Sequence, residues 1–296
     1  MHQHKPVFTK DHLNKAFVVA IGLNLGFTGI EAIFALLANS SSLLADAGHN
    51  LGDVMGLLLA YMANRLTQKS VSSTYSYGFK RSTILAAIAN ALILVVASCI
   101  IGIEAIFQLM HPHPIRTLDV MIIASIGIFV NAISAWLFVQ DKDKDLNVKG
   151  AFLHLMADAA ISLGVVIAAI VIYFTGWMIV DPIVGLIIVG LILVSGYELM
   201  RDSLNLALDA VPRDIQPTKV IRYLENVDGV IGAHHLHIWA LSTSENALTV
   251  HLVVQRPLNN KVYRDINQSL QKEFNIHHAT IQTEIEEGKN SDCKIF

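Results

Sequence analysis

Six long apolar runs, parted by short polar breaks, occupy the first two thirds of the chain, and the pattern changes near Arg201. The hydrocarbon core of a bilayer takes about 20 residues of helix. Segments of that size fall at 16–37, 43–64, 83–107, 118–140, 151–174 and 178–200, and each predicts a membrane-spanning helix. The breaks at 38–42 and 175–177 are so short that they predict antiparallel neighbours. Beyond Arg201 the periodicity becomes that of a small α+β domain. A helix is predicted over 217–226, closed by Gly229, and strands over 232–241 and 247–255 around a polar turn. An amphipathic helix at 262–274 and a strand at 279–285 complete an αββαβ order, with helices on one face of a sheet. The expected organisation is a tail at 1–15, a six-helix transmembrane bundle at 16–201 and a cytosolic C-terminal domain at 202–296. Fewer than 100 residues make a marginal core, so pairing with a second copy is expected.

Composition strengthens the membrane reading. Of 296 residues, 53% are hydrophobic and 15% charged, with a mean hydropathy of +0.52, against about 25% charged in soluble domains. A net charge of −3 gives no reason to expect a nucleic-acid partner. Lys5, Lys10, Lys15, Arg65, Lys69, Lys80, Arg81, Lys142, Lys144 and Lys149 flank one side of the predicted bundle, and only Arg116 lies in the loops on the other. The positive-inside bias then places both termini in the cytoplasm. Tyr173, Phe174 and Trp177 fit the outer aromatic belt. The polar start of the chain shows no cleavable signal, and an integral protein of a bacterial inner membrane is expected. Cys99 and Cys293 are too few for a disulfide framework or a thiolate zinc site.

Ionisable side chains inside spans are costly and mark function by default. In the second span His49 and Asp53 stand four residues apart, on one helical face, with Asp46 three residues before His49. In the fifth span His154 and Asp158 repeat the spacing. One such pair alone can simply hydrogen-bond within its helix. Two pairs on two helices offer two imidazoles and two carboxylates, a donor set suited to tetrahedral Zn²⁺. Mg²⁺ and Ca²⁺ prefer oxygen shells of six or more ligands, whereas Co²⁺, Cd²⁺, Fe²⁺ and Mn²⁺ remain open on ligand type. Four protein ligands leave no place for an activated water, which favours binding and release over hydrolysis. A metal-sensing membrane receptor and an intramembrane metallohydrolase are the rival classes. The first lacks a recognisable output module in the tail, and the second lacks a general base.

At these residues the sequence resembles the cation diffusion facilitator family, in its zinc, cobalt and cadmium efflux branch. The resemblance runs through SLLADAGHNLGDVMGL, YGFKRSTILAAIAN, KGAFLHLMADAAISLGV and AHHLHIWAL, nearly the whole chain. It implies a proton-coupled antiporter, not an enzyme, that works by alternating access as a homodimer with ferredoxin-like cytosolic domains. Zn²⁺ is both cargo and cytosolic-domain ligand in that reading, with no organic cofactor. The transport site falls on His49, Asp53, His154 and Asp158, and a histidine at position 49 goes with preference for Zn²⁺ over Cd²⁺. The cytosolic metal pattern falls on His234, His251 and His277, with Glu284 as a fourth ligand. Two departures stand out. Phe79 occupies the place where some relatives carry a histidine, and the loop DKDKDLNVKG has none of the histidines found in many animal relatives. Cys293 lacks the paired cysteine that completes some cytosolic sites.

Several other residues carry blander expectations. Asp181, before Pro182, reads as a helix cap. Asn24, Asn90 and Asn131 read as hydrogen-bonding links between helices, and Glu31 as a group that either lines the metal path or pairs with another buried polar side chain. His111 and His113 read as a capped turn, His2 and His4 as tail residues, and His235, His237 and His278 as surface histidines.

Overall fold

A chain segment inside a bilayer must satisfy its own backbone, which only helices and closed barrels do, and the apolar runs fold accordingly. The computed structural model describes residues 10–139 and 146–285, with side chains from 20 and from 148 onward in the two segments. The expectations for His2, His4, Lys5, Lys142, Lys144 and Cys293 fall outside the described residues. Six long helices come first: α1 (Lys10–Ala38), α2 (Ser41–Thr67), α3 (Ser82–Met110), α4 (Thr117–Trp136), α5 (Leu146–Thr175) and α6 (Val180–Ala207). Five are long and apolar enough to cross a membrane. The remaining one, α2, matches them at 27 residues, but Asp46, His49, Asn50 and Asp53 break its apolar character. Large side chains such as Ile100, Phe129, Leu191 and Val194 stand exposed, as befits surfaces that meet lipid tails.

After α6 come α7 (Pro217–Glu225), β1 (Val230–Ala240), β2 (Asn246–Val254), α8 (Asn260–Phe274) and β3 (Ile276–Ile285). This is the expected αββαβ order. The sheet runs β1-β2-β3, with β1 antiparallel and β3 parallel to β2. Pro217 opens α7, where its missing N–H costs nothing. Asn259 caps α8 by accepting from the N–H groups of Lys261 and Val262. Leu224 of α7 and Ile266 and Leu270 of α8 bury themselves against Leu236, Leu248, Leu252 and Val254 of the sheet.

The chain divides into two compact units. Met1–Leu58 groups with Asn90–Glu198, and Leu59–Ala89 with Leu199–Phe296. In the first, close approach depends on small residues. A Cβ on Gly127 of α4 would stand 3.0 Å from Phe27 of α1 and 3.2 Å from Ser162 of α5. In the second, the segment between α2 and α3 is tied to the C-terminal domain by ion pairs Lys80–Glu245 and Arg81–Asp209. Thr243 N–H also donates to Thr83 Oγ1 at 3.0 Å.

Asp181 differs from its expected role in an informative way. It does cap a helix, but the helix is α2 rather than its own. Its carboxylate accepts from Ser41 N–H at 2.6 Å, Ser42 N–H at 3.3 Å and Ser40 Oγ at 2.6 Å. The first N–H groups of α2 have no partner within their helix, and a carboxylate also complements the positive end of the helix dipole. Gly185, one turn further along α6, makes the approach possible, since a Cβ there would lie 2.9 Å from the Ser41 carbonyl carbon. Asp181→Ala is therefore expected to destabilise the protein by about 2–4 kcal/mol, from buried donors left unpaired. Asp181→Asn, which keeps an acceptor oxygen, should fall between it and the native protein. Thermal unfolding in detergent checks both, and an unchanged midpoint for Asp181→Ala would refute the capping role.

Candidate functional site

The H-x-x-x-D spacing places an imidazole and a carboxylate on one face of α2 and again on α5, and the two faces meet. His49 Nε2 stands 3.7 Å from Asp53 Oδ2 on its own helix and 3.3 Å from Asp158 Oδ1 on the other. His154 Nε2 stands 3.6 Å from Asp158 Oδ2 and 3.2 Å from Asp53 Oδ2. The imidazole rings are 6.0 Å apart and nearly perpendicular. Donor atoms of His49, Asp53 and Asp158 all lie within 4.8 Å of one another.

These distances can be read chemically. Charge-assisted N–H···O contacts settle at about 2.7–2.9 Å, shorter than any of the four. Ligands held 2.0–2.2 Å from a tetrahedral metal lie about 3.3–3.6 Å from one another, close to the 3.2–3.7 Å seen. Asp53 Oδ2 and Asp158 Oδ1 are buried yet receive no hydrogen bond among the described residues. Two such carboxylate oxygens are what a dication would neutralise. A cavity of about 340 Å³ opens on Asp53, His154 and Asp158 and reaches Asn24 and Asn50. All four sequence-derived residues of this site are thus brought together.

Deeper in the same helices lies a polar chain that the sequence left open. Glu31, fully buried in α1, accepts from Asn50 Nδ2 at 2.9 Å. Asp46, equally buried, accepts from Ser162 Oγ of α5 at 2.7 Å. Asn24 links α1 to Ser134 of α4 at 3.4 Å, as expected of an interhelical tie. Asn90 packs its amide against Gly56, and Asn131 is buried without a hydrogen-bond partner among the described residues. Neither serves as the expected interhelical link.

In the C-terminal domain the sheet assembles a histidine cluster. His234 of β1 and His251 of β2 are register partners, and Glu284 of β3 bridges them, at 3.2 Å from His234 Nε2 and 2.8 Å from His251 Nδ1. His235 joins this group, with its Nδ1 at 2.7 Å from that of His234. Donor atoms of His234, His235 and His251 lie within 4.8 Å of one another. Consecutive strand residues normally face opposite sides. Here the register slips between His234 and His237, and His235 adopts φ 50°, so a bulge turns it toward its neighbour. The His-His dipeptide was the only signal of this in the sequence.

His277 is not brought to the cluster. It is exposed at the start of β3, seven residues from Glu284 and hence about 23 Å away along the strand. His278 packs its ring on Tyr77, 5.4 Å away. Phe79 stacks with Tyr75 at 4.6 Å and lies under Lys69, a packing role at the position where some relatives carry a histidine.

Comparison with known proteins agrees with this architecture. A family model described as the cation efflux transmembrane domain matches residues 17–206, and one described as the cation efflux protein cytoplasmic domain matches residues 212–286. The cadmium, cobalt and zinc/H(+)-K(+) antiporter of Bacillus subtilis is 36% identical, over 100% of this chain and 95% of that protein. The zinc transporter ZitB of Escherichia coli is 34% identical, over 97% and 92%. The metal cation efflux system protein CzcD of Cupriavidus metallidurans is 33% identical, over 94% and 89%.

Partial desolvation works to raise the Glu284 carboxyl, but hydrogen bonds from His251 and His234 outweigh it and hold it below the ordinary glutamate range. A depressed carboxyl contributes stability that is present above its unfolded-state value and lost as pH falls through the folded one. The stability of the C-terminal domain should therefore decline on acidification below the usual glutamate range, and Glu284→Gln should flatten that acid limb. Fluorescence of Trp239, with Trp136 and Trp177 replaced by Phe, reads the transition. Identical acid limbs in both proteins would refute the bridge.

Proposed function

The chain belongs to the cation efflux family, transporters rather than enzymes, and we propose that it exports Zn²⁺ from the cytosol in exchange for protons. His49, Asp53, His154 and Asp158 form the transport site in this reading. The observation that carries it is the set of four His–Asp distances, 3.2–3.7 Å, at tetrahedral ligand spacing between two helices. Two carboxylates balance the charge of the dication in a medium where an unbalanced charge is expelled. The imidazoles favour Zn²⁺ over Mg²⁺ or Ca²⁺. Named activities of the relatives, zinc transport in one and zinc/H(+)-K(+) antiport in another, point the same way.

An imidazole ligates only when neutral. Metal binding and protonation of His49 or His154 therefore exclude one another, which couples cargo to protons without further machinery. Metal enters from the cytosol, helix motion exposes the site outward, and protons taken up there release it. His234, His235, His251 and Glu284 would hold a second Zn²⁺ on the cytosolic domain. Three neutral imidazoles and a carboxylate fit that ion, which would cross-link β1, β2 and β3. The assembly is a homodimer in the inner membrane with both termini cytoplasmic, a reading supported by the basic residues flanking one side of the helices.

In proteoliposomes His49→Ala and Asp158→Ala should each reduce zinc-dependent proton flux to background, and retained flux in both would refute the transport site. Full-length protein should also dimerise more tightly with Zn²⁺ than without, by analytical ultracentrifugation. His251→Ala should remove that difference. Equal association of the native protein in both conditions would reject the cytosolic role.

A further inference from the structure

Glu31 and Asp46 place two carboxyl groups in the bundle interior that the transport site does not use. Both side chains are fully buried, and Glu31 is held by Asn50, which stands one turn from Asp46 on the same face of α2, so the two carboxyls are neighbours. Each also has one donor from its surroundings: Asn50 for Glu31 Oε2, and Ser162 for Asp46 Oδ2. The other oxygens, Glu31 Oε1 and Asp46 Oδ1, receive no hydrogen bond among the described residues. A buried acceptor without a donor is rare and costly, and two in one carboxyl pair need a common explanation.

No basic side chain supplies it. The apolar reaches of the six helices contain no lysine or arginine. The ionisable groups that act on the pair are Asp158 of α5, which bears on both carboxyls, and His49 of α2, which bears on Asp46. On α4, packed against α1, the only charged residue is Asp119, in its first turn. Two neighbouring carboxyls in a low-dielectric interior do not both ionise while no cation is near to balance them. A single proton placed on one of them supplies a donor to the other.

We propose that Glu31 and Asp46 hold one exchangeable proton between them, a proton-carrying site separate from the four metal-coordinating side chains, and that a dication arriving at those side chains displaces it. The second half rests on the transport-site reading above. The two sites share helix turns. Asn50, which holds Glu31, follows His49 in sequence, and Ser162, which holds Asp46, lies one turn beyond Asp158. A turn of helix is about 5.4 Å, so the charge of a dication at the metal site is felt at the pair. Before binding, the negative charge of Asp158 helps retain the proton. Once a dication has neutralised that charge, the proton leaves to solvent as H⁺ and both carboxyls of the pair are left ionised, while the four carboxylates and the ion together are still one unit less negative than before. No bond other than the O–H is broken.

The test uses the purified full-length protein. Zn²⁺ is titrated by calorimetry in buffers of differing ionisation enthalpy, which counts protons released per ion bound. Glu31→Gln should still bind Zn²⁺ but release about one proton fewer than the native protein, and Asp46→Asn should do the same. Infrared difference spectra of the native protein should lose a protonated-carboxyl C=O band on Zn²⁺ addition, and Glu31→Gln should lack that band from the start. Equal proton counts in native and Glu31→Gln protein would overturn the proposal. So would a metal-free native spectrum without a carboxyl band assignable to Glu31, the outcome expected if the pair held a monovalent cation. Should His49→Ala bind Zn²⁺ as the native protein does, the transport-site reading fails instead. The infrared comparison of metal-free native and Glu31→Gln protein still decides whether the pair carries its proton.

Discussion

An ionised side chain within a helical bundle has little water to fall back on, and Glu31, Asp46, Asp53, Asp158 and Asp181 answer to that constraint. The bundle meets it in three ways. Asp181 takes the free N–H groups at the start of α2 and turns a charge into a helix cap. Glu31 and Asp46 lean on a side-chain amide and a hydroxyl. Asp53 and Asp158 face two imidazoles at distances too long for good hydrogen bonds and right for a shared ion. The first solution fixes structure, while the other two leave oxygens without a hydrogen bond among the described residues. Position in the helix decides which applies, since backbone N–H groups are free only at the ends.

The cytosolic cluster is built under different rules. Glu284 is 40% exposed, so water shares the work of solvating it and its charge is not an obligation in the same sense. Three histidines and a carboxylate on three adjacent strands make a rigid frame. Rigidity comes from the core beneath, where Leu248 and Leu252 are fully buried. The segment between α2 and α3 is fastened to this domain by Lys80–Glu245 and Arg81–Asp209, so the C-terminal end of the helix that carries His49 belongs to the same compact unit as the cluster.

Hydropathy exposed the helices well because lipid imposes one rule on every span, yet it located their apolar stretches rather than their ends. Thus α5 starts at Leu146, ahead of the apolar run, and α6 continues to Ala207, past it. That His49, Asp53, His154 and Asp158 could meet was legible because a four-residue spacing fixes a helical face whatever the rest of the fold does. What stayed hidden depended on geometry that no period encodes. The bulge that swings His235 into the cluster breaks the strand alternation on which reading β1 relied. His277 lies on the correct strand but at its far end, a matter of register with β2. Asp181 was recognisable as a cap, but not as the cap of a helix 140 residues earlier in the chain.

Cross-helix contacts in the His–Asp cluster of α2 and α5 are tighter than those within each helix. His49–Asp158 at 3.3 Å and His154–Asp53 at 3.2 Å span α2 and α5, against 3.7 and 3.6 Å for the pairs within a helix. Each carboxylate therefore serves the opposite imidazole at least as well as its own. A within-helix pair survives any rigid movement of the helices, because the helix itself sets its spacing. A cross-helix pair does not, and sliding or rotating α5 against α2 by a fraction of a turn would separate both at once. The four contacts exist together only while the two helices are in register, so grip on an ion there would be a property of helix arrangement rather than of any one side chain. Such a site can bind tightly in one arrangement and release in another with all four ligands unchanged, which is the differential affinity that alternating access requires.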